Sequence, residues 1–497
     1  MANRIFRNGS TGLAIWLSTI LFPNLVLASE PTASKLPSVL VAQTSSLSLG
    51  NSSFLKLSER FLKHDKKSFT GNFGLKGTHF LTEKRSDVES ENYSYLNGNL
   101  LLKDKKGDFD WSAEMVFELS SEIQREAYVG APEMFVRLND EDSGVRVSIG
   151  RQKRTWSELD ESLGLGVWQP QLRWDYLNPI QQGLTGAFFD MKFDSLDVTL
   201  YGSPIFLPDQ GPQFQVKEGR IESANRWFWK PQNRLRLGED SSNLFYELET
   251  PKVDEIVMNP SLGGMMKVDP EGPLEVQLAY AYKPMNQFFI GYECSGCVDP
   301  LTGDGTAKIH PMVVNHHVFT AESRWVREED RFLFSWTVDR PNDPKIPSDW
   351  GGSELRPVSI PGVGYERKFS LVQFPSTLQL FYFQELRGGR IGGGDLSSDV
   401  ESSSDRYSFD DLLSASLSTK LRQLRSGYLE LQTKYAYSFK EEGSWLSAQL
   451  TYQRQAFSAH LGFDVLGSNT DPLSSEAGLF SRYRSNDRVY GGIGFVF

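Results

Sequence analysis

The C-terminal stretch "DRVYGGIGFVF", Asp487–Phe497, decides the fold class. Val489, Ile493, Phe495 and Phe497 share one parity in this stretch. Residues two apart lie on the same face of an extended strand, so one face of the stretch is apolar. The chain as a whole is polar, with a mean hydropathy of −0.38. The stretch therefore predicts a β-strand with one apolar face, and the rest of the chain must show whether that face meets a soluble core or lipid.

The N-terminus predicts export. Arg4 and Arg7 precede an apolar run, and "VLA" at 26–28 offers small residues for cleavage, which is typical of a secretory signal peptide over 1–28. Pro23 interrupts the run, which is too short for a membrane anchor. Residues 29–67 are predicted to be a periplasmic leader. The net charge of −11 argues against a nucleic-acid partner.

The two-residue period recurs along the chain in segments of about 8–11 residues, a length and pattern typical of strands. Examples are "WSAEMVFEL" (111–119), "LEVQLAYAY" (274–282), "FLFSWTVD" (332–339), "YLELQTKYAYSF" (428–439), "WLSAQLTYQRQ" (445–455) and "AHLGFDV" (459–465). We count about 16–20 such segments, too many for one sandwich, and many approach the length that crosses a membrane. Because lipid satisfies no backbone polar group, an exported chain of this kind is expected to close on itself.

The signal peptide, the alternating strands and the terminal "YGGIGFVF" together resemble a Gram-negative outer-membrane β-barrel of the porin-like class. The resemblance implies an all-β, transmembrane, antiparallel up-and-down β-barrel over 68–497, with about 18 strands and 16 as the alternative. It also implies short turns at the periplasmic side, long loops outside, and recognition of Phe497 by the barrel-assembly machinery. Outer-membrane lipid would surround the apolar faces.

One connection is much longer than the usual 4–6 residues. Between strands at Val145 and Leu184 lies an irregular segment, 153–183, in which Ser157 can cap a short helix "ELDESL" that ends at Gly164. In porins a long loop folds into the lumen, and this segment resembles such a constriction loop. An ordinary surface loop held by its own aromatic residues is the alternative. The candidate constriction residues are Trp156, Glu158, Asp160, Glu161, Arg173 and Asp175, where opposed charges would set a field and exposed aromatic rings would stack on solutes.

Polar residues on the alternating faces are the candidate lining of a pore. They are Glu114, Glu118, Glu133, Arg137, Arg146, Arg154, Glu275, Gln277, Asp339, Glu430, Gln432 and Lys434. Because a barrel of about 16–18 strands leaves an aqueous lumen, these side chains would face water.

Cys294 and Cys297 form the motif "CSGC". With His310 and His316 they match a zinc-finger spacing, but Pro311 and the β-branched neighbours disfavour the helix such a site needs. The histidines suit one strand, sharing a face. In an oxidising compartment the cysteines are predicted to form a disulfide, and we expect no metal and no cofactor.

The sequence predicts a channel for passive diffusion of small hydrophilic solutes, with a homotrimer suggested only by analogy with porins. No G-x-S-x-G nucleophile motif is present, so we expect no enzyme activity. One alternative is a non-conducting barrel that acts as an adhesin or scaffold for its surface loops. Another is an exporter of an acidic polysaccharide, which would require a more basic lumen.

Overall fold

The computed structural model describes most of the chain after the leader. The described residues are 67–85, 89–120, 127–140, 144–231, 233–237, 240–269, 272–293, 303–348, 350–352, 355–387, 406–424, 427–472, 474 and 477–497. The signal peptide, almost all of the leader, and Cys294 and Cys297 lie outside these residues. The predicted disulfide therefore stays a prediction.

Eighteen long strands follow one another in chain order. They are β1 (Lys67–Phe80), β2 (Asn92–Lys106), β3 (Phe109–Ser120), β4 (Ala127–Asp140), β5 (Val145–Gln152), β6 (Leu184–Lys192), β7 (Leu196–Ser203), β8 (Ser261–Val268), β9 (Leu274–Pro284), β10 (Asn315–Arg327), β11 (Asp330–Pro341), β12 (Val358–Leu371), β13 (Phe374–Gln384), β14 (Asp411–Leu424), β15 (Gly427–Ser438), β16 (Gly443–Arg454), β17 (Phe457–Ser468) and β18 (Arg488–Val496). Each pairs antiparallel with the next, and β18 pairs with β1 through Phe495↔Phe73. The chain is a closed β-barrel. The predicted fold class and the count of 18 are confirmed, and the alternative of 16 is wrong.

The two ends of the barrel differ. At one end the strands are joined by tight turns, such as Gly107 (φ 62°) between β2 and β3. Between β12 and β13 both turn residues, Val372 (φ 50°) and Gln373 (φ 73°), have left-handed backbone, as hairpins with two-residue loops require. At the other end the connections are long, including 153–183 and 204–260. We call these the short-turn end and the long-loop end.

The closing strand shows the sidedness of the wall. Ile493 and Phe495 point outward and are each 49% exposed, whereas Arg488 and Tyr490 point inward and are buried. The Phe497 ring lies 5.2 Å from that of Phe69 at the short-turn rim. An apolar outer face with aromatic side chains at its edge is the surface that a lipid bilayer requires.

The long-loop end carries further short elements. The helices are α1 (Glu158–Leu163), α2 (Val253–Val257) and α3 (Leu479–Arg482). The short strands are Gln171–Leu172, Ile180–Gln181, Gln215–Lys217, Arg220–Glu222, Arg234–Leu237, Asp240–Leu248, Phe289–Glu293, Gly305–Met312, Trp350–Gly352 and Leu386–Arg387. Within the described ranges, no helix has the length and apolar character to cross a membrane.

The histidines do not share a strand. His310 lies on Gly305–Met312, which belongs to a separate five-stranded sheet, whereas His316 lies on the barrel strand β10. The prediction of one strand for both was wrong, because the chain turns between Met312 and Asn315 to enter the barrel wall.

Candidate constriction site

The segment 153–183, which we call the insert, leaves and re-enters the wall at one point, since β5 and β6 pair up to Gln152↔Leu184. Its helix α1 begins after Ser157, whose hydroxyl accepts a hydrogen bond of 3.2 Å from Asp160 N. The helix ends at Gly164, which has φ 63°. The predicted cap, helix and stop are confirmed, because all three are set by local backbone chemistry.

A carboxylate of the wall docks this helix. Glu322 of β10 is buried and accepts from Ser157 Oγ (2.7 Å), Glu158 N (2.9 Å) and Leu159 N (3.2 Å). These are free donors at a helix N-terminus, where the helix dipole also favours a negative charge. The insert is therefore held inside the barrel by an electrostatic contact at the start of α1.

Glu158 extends this contact sideways. Its two carboxylate oxygens accept from Arg324 of β10 and Arg331 of β11. The same arginines continue a belt of alternating charges over neighbouring strands, with Glu275 paired to Arg324 and to Lys267 (3.0 Å). The belt consists of Lys267, Glu275, Arg324, Arg331 and Glu366.

Asp160 has a different role. It is buried, and its two oxygens accept from Val167 N (3.0 Å) and Trp168 N (2.9 Å), which tie the helix to the following turn. Burial raises its pKa, against the backbone hydrogen bonds. Burial also raises the pKa of Glu161 to about 8. These two carboxyls lie within the packing of the insert itself.

The far side of the insert is anchored by two ion pairs. Asp175 lies 2.7 Å from Arg488 of β18, which also contacts Asp464 of β17 at 2.7 Å. Burial raises the pKa of Asp175, but the Arg488 charge and hydrogen bond, with Lys76 and Asn178, outweigh it and the net shift is downward. Arg173 lies 3.2 Å from Asp209. The insert thus spans the lumen from β10 to the closing strand.

The tryptophans of the insert do not face solutes. Trp156 and Trp168 stack at 5.2 Å and are 0% and 1% exposed. Trp174 stacks on Tyr128 of β4 at 4.8 Å and is also buried. For the tryptophans, the expectation of exposed rings that stack on solutes is wrong, because these side chains gain more by excluding water against the wall.

An apolar cluster therefore lies inside the barrel. It joins Trp156, Leu159 and Leu163 of the insert to inward residues of the wall such as Val318 and Ile360. These side chains are shielded from water inside the lumen.

A second segment, 204–231, also crosses the long-loop end. Arg226 is fully buried and donates to Thr82 O (3.1 Å), Thr82 Oγ1 (3.1 Å) and Glu83 O (3.0 Å), just after β1. Asn225 Nδ2 donates to Tyr128 OH at 2.7 Å. We call 223–229 the lid; Ser223, Asn225, Arg226 and Trp227 within it are buried.

The residues predicted to line a pore lie on inward positions or at the base of the insert. Several contact the insert: Glu114 pairs with Lys153, Glu133 accepts from Lys153 N at 3.1 Å, and Gln277 donates to Trp156 O at 2.9 Å. Asp339 lies in a buried group with His316 (2.7 Å) and Tyr407.

The other predicted residues contact the wall or its neighbours. Arg154 forms an ion pair with Asp190, Arg137 with Asp110, and Glu118 with Lys76. Glu275 belongs to the charge belt, and Glu430 accepts a hydrogen bond from Gln432. Lys434 makes a cation–π contact with Trp445, and Arg146 is exposed.

Sequence reasoning missed several residues that hold the site. Glu322 and Arg324 lie in "NHHVFTAESRWVR", where polar residues at 316, 320, 322 and 324 share one parity opposite Phe319 and Trp325. That alternation was sufficient to place both inside. No comparable pattern marks Arg226, which lies in an irregular segment.

No protein-family model matches the chain, and no curated protein matches it. Solved outer-membrane barrels are similar to it at low identity. Wzi, a carbohydrate-binding β-barrel involved in Group 1 capsule assembly in Escherichia coli, is 10% identical, with 92% of this chain and 89% of Wzi covered and a TM-score of 0.44. Acinetobacter baumannii OccAB4 is 11% identical, with 87% and 98% covered and a TM-score of 0.44. The anion-selective porin from Comamonas acidovorans is 10% identical, with 87% and 99% covered and a TM-score of 0.39. These TM-scores are below 0.5. The assignment of a closed barrel therefore rests on the strand pairing of this chain and not on its likeness to these structures.

Proposed function

We propose that the protein is an outer-membrane channel of a Gram-negative bacterium, for passive diffusion of small hydrophilic solutes. The observation that carries this proposal is a closed barrel of 18 strands, apolar outside and charged inside, with a long insert folded into its lumen. Barrels of this size enclose an aqueous lumen, and lumenal charges tune what passes. The short-turn end would face the periplasm and the long-loop end the outside.

The insert would set the size limit. Glu158 between Arg324 and Arg331 places fixed charges of both signs at the inner edge of the insert. The pore-lining residues named above would contribute the rest of the field along the lumen. Outer-membrane lipid would contact the wall, Phe497 would be read by the barrel-assembly machinery, and a homotrimer is a further proposal by analogy with porins.

A second candidate function is a non-conducting barrel that displays its long loops as an adhesin or scaffold. The apolar cluster around Trp156 and Leu159 and the lid at 223–229 favour it, since both place packed side chains across the long-loop end. In this alternative the insert is a plug and not a constriction.

Replacing 156–182 by a short Gly-Ser linker distinguishes the two. Purified wild-type and deletion proteins are compared in planar bilayers, with a deletion of the loop residues 343–345, of which Asp343 and Lys345 are exposed, as control. A channel predicts discrete openings for wild type and larger ones for the insert deletion alone. Openings only in the insert deletion would support the plugged barrel. A silent wild type and a silent deletion variant would reject conduction altogether.

A further inference from the structure

A buried histidine lies where three connections of the long-loop end meet. His310 is 8% exposed and lies on the central strand, Gly305–Met312, of the five-stranded sheet. The connection between β9 and β10 supplies this strand and Phe289–Glu293. The connection between β7 and β8 supplies Asp240–Leu248, and that between β11 and β12 supplies the edge strand Trp350–Gly352. Contacts of this one imidazole can therefore hold three separate connections together.

One face of the imidazole is covered by an indole. The ring of Trp350 stacks on that of His310, with 3.8 Å between the ring centres and 17° between the planes. Gly291, on the strand between them, is the cross-strand partner of both His310 and Gly352. A Cβ at Gly291 would come within 3.3 Å of the Trp350 ring, so glycine leaves room for the stack. The ring pair thus links the edge strand to the central strand.

The two ring nitrogens face different carboxylates. Nδ1 lies 2.6 Å from Glu249 Oε2, and Glu249 N donates to Ile309 O at 3.0 Å. Nε2 lies 3.7 Å from Glu293 Oε2 and has no hydrogen-bond partner among the described residues. The Nδ1 contact requires a hydrogen on that nitrogen, so the neutral ring carries a lone pair on Nε2. A shielded lone pair then faces a negative charge, which is unfavourable.

Two more charged side chains lie near His310 on this face of the described sheet. Lys308, two residues away on the same strand, lies 3.8 Å from Glu293 and offsets part of its charge. Glu247 is the cross-strand partner of Lys308 and adds a negative charge. Three carboxylates and one ammonium therefore surround the imidazole, and their balance favours a positive ring.

We infer that His310 is an acid-responsive clamp, which ties the three connections together more tightly when the pH of the surrounding medium falls. Protonation places a hydrogen on Nε2, which makes the contact with Glu293 attractive. It also turns the Glu249 contact into an ion pair and the Trp350 stack into a cation–π contact. The clamp goes beyond the proposed channel, because it acts on the loops whether or not the barrel conducts.

The sign of the pH dependence follows from these contacts. Histidine is the side chain that changes charge between about pH 5 and pH 8. The proton gains Glu293 and the indole face only in the assembled sheet, so the added stability is present in acid and lost as the pH rises. Solvent weakens the ion pairs, since the side chain of Glu249 is 65% exposed. We therefore expect a change of about fivefold in the ratio of closed to open sheet.

Two measurements on the purified barrel in detergent test the clamp. The first is the fluorescence of Trp350, taken as the difference between wild type and Trp350→Phe, because a protonated imidazole quenches an indole stacked on it. The second is the initial rate at which proteinase K cleaves the long connections, normalised at each pH to an unfolded substrate. His310→Gln removes the titrating group. The matched control is His317→Gln, since His317 is an exposed histidine at the same end, bonded to Tyr280 OH at 2.9 Å.

From about pH 8 to about pH 5, wild type and His317→Gln should lose Trp350 fluorescence and be cleaved about fivefold more slowly. His310→Gln, folded by heat-modifiable gel mobility, should show neither change, and Glu293→Gln should be quenched with a smaller change in cleavage. A Trp350 signal independent of pH, quenching without slower cleavage, or the wild-type cleavage ratio in His310→Gln would each overturn the clamp. These results leave the proposed channel in place, and a barrel that fails to conduct leaves the clamp in place.

Discussion

Removal of one charge in the wall should release the insert. In Glu322→Gln the side chain keeps its shape but loses its charge and one acceptor. Glu322 Oε1 accepts from Ser157 Oγ and Leu159 N, while Oε2 accepts from Glu158 N at 2.9 Å and lies 3.4 Å from Arg324 Nη2. Whichever way the amide is oriented, its NH2 group faces a backbone N–H, that of Leu159 or that of Glu158.

The magnitude follows from these contacts. A hydrogen bond to a charged group contributes about 1.5–3 kcal/mol, and an unpaired buried donor costs a further amount of similar size. Because the bonds that remain to the new amide are neutral and weaker, we expect docking of α1 to lose about 3 kcal/mol, in line with the breaking of buried charged contacts. That is about a hundredfold change in the ratio of docked to undocked insert.

Single-channel recording in planar bilayers measures the ratio of undocked to docked insert. The undocked insert should give a higher conductance level, so the ratio equals the time at that level divided by the time at the lower level. Glu322→Gln should raise the ratio of time at the higher level to time at the lower level about a hundredfold relative to wild type. Glu366→Gln is the matched control, since Glu366 is an inward carboxylate on β12 that contacts Arg331 at 3.9 Å and not the helix start. If folded Glu322→Gln shows the same level occupancy as wild type, docking at the N-terminus of α1 does not hold the insert.

Three more predictions concern the insert and the lid. Because burial raises the pKa of Glu161 from 4.5 to about 8, the docked insert prefers the neutral carboxyl. Docking should therefore be strongest below about pH 4.5 and weaken as the pH rises towards 8, with more high-level openings, and Glu161→Gln should remove that slope. Asp175→Asn breaks the contact with Arg488 and should also raise high-level occupancy; an unchanged occupancy would show that the second anchor is dispensable. Arg226→Ala should make the lid susceptible to limited proteolysis while strand content by circular dichroism stays constant, whereas equal cleavage rates would argue that other contacts hold it.

The features predicted correctly depend on neighbours in sequence. Alternation with period two places Ile493 and Phe495 on one face whatever else the chain does, so the barrel could be recognised. Ser157 and Gly164 define α1 because capping needs only a side-chain acceptor and a residue that tolerates positive φ. The strand count followed from the number of such segments.

The contacts of the insert could not be predicted in the same way. A segment that contains Trp156 and Trp168 has the same composition whether it forms an exposed loop or a buried one. Only packing against the barrel wall buries these two side chains. Arg226 contacts Thr82 and Glu83, which are far from it in sequence. No local sequence pattern therefore predicts the lid. The position of the insert could be predicted from loop length, but not which of its side chains face water.

The inward faces themselves contain the missing signal. A strand whose inner face meets water carries polar residues there, whereas a strand that supports a lumenal segment carries apolar residues on both faces at the point of contact. On β11, Phe334 is 55% exposed on the outside while Leu333 is 3% exposed on the inside, and Val318 of β10 is likewise buried inside. Apolar residues on both faces of a strand thus mark where a segment docks inside a barrel.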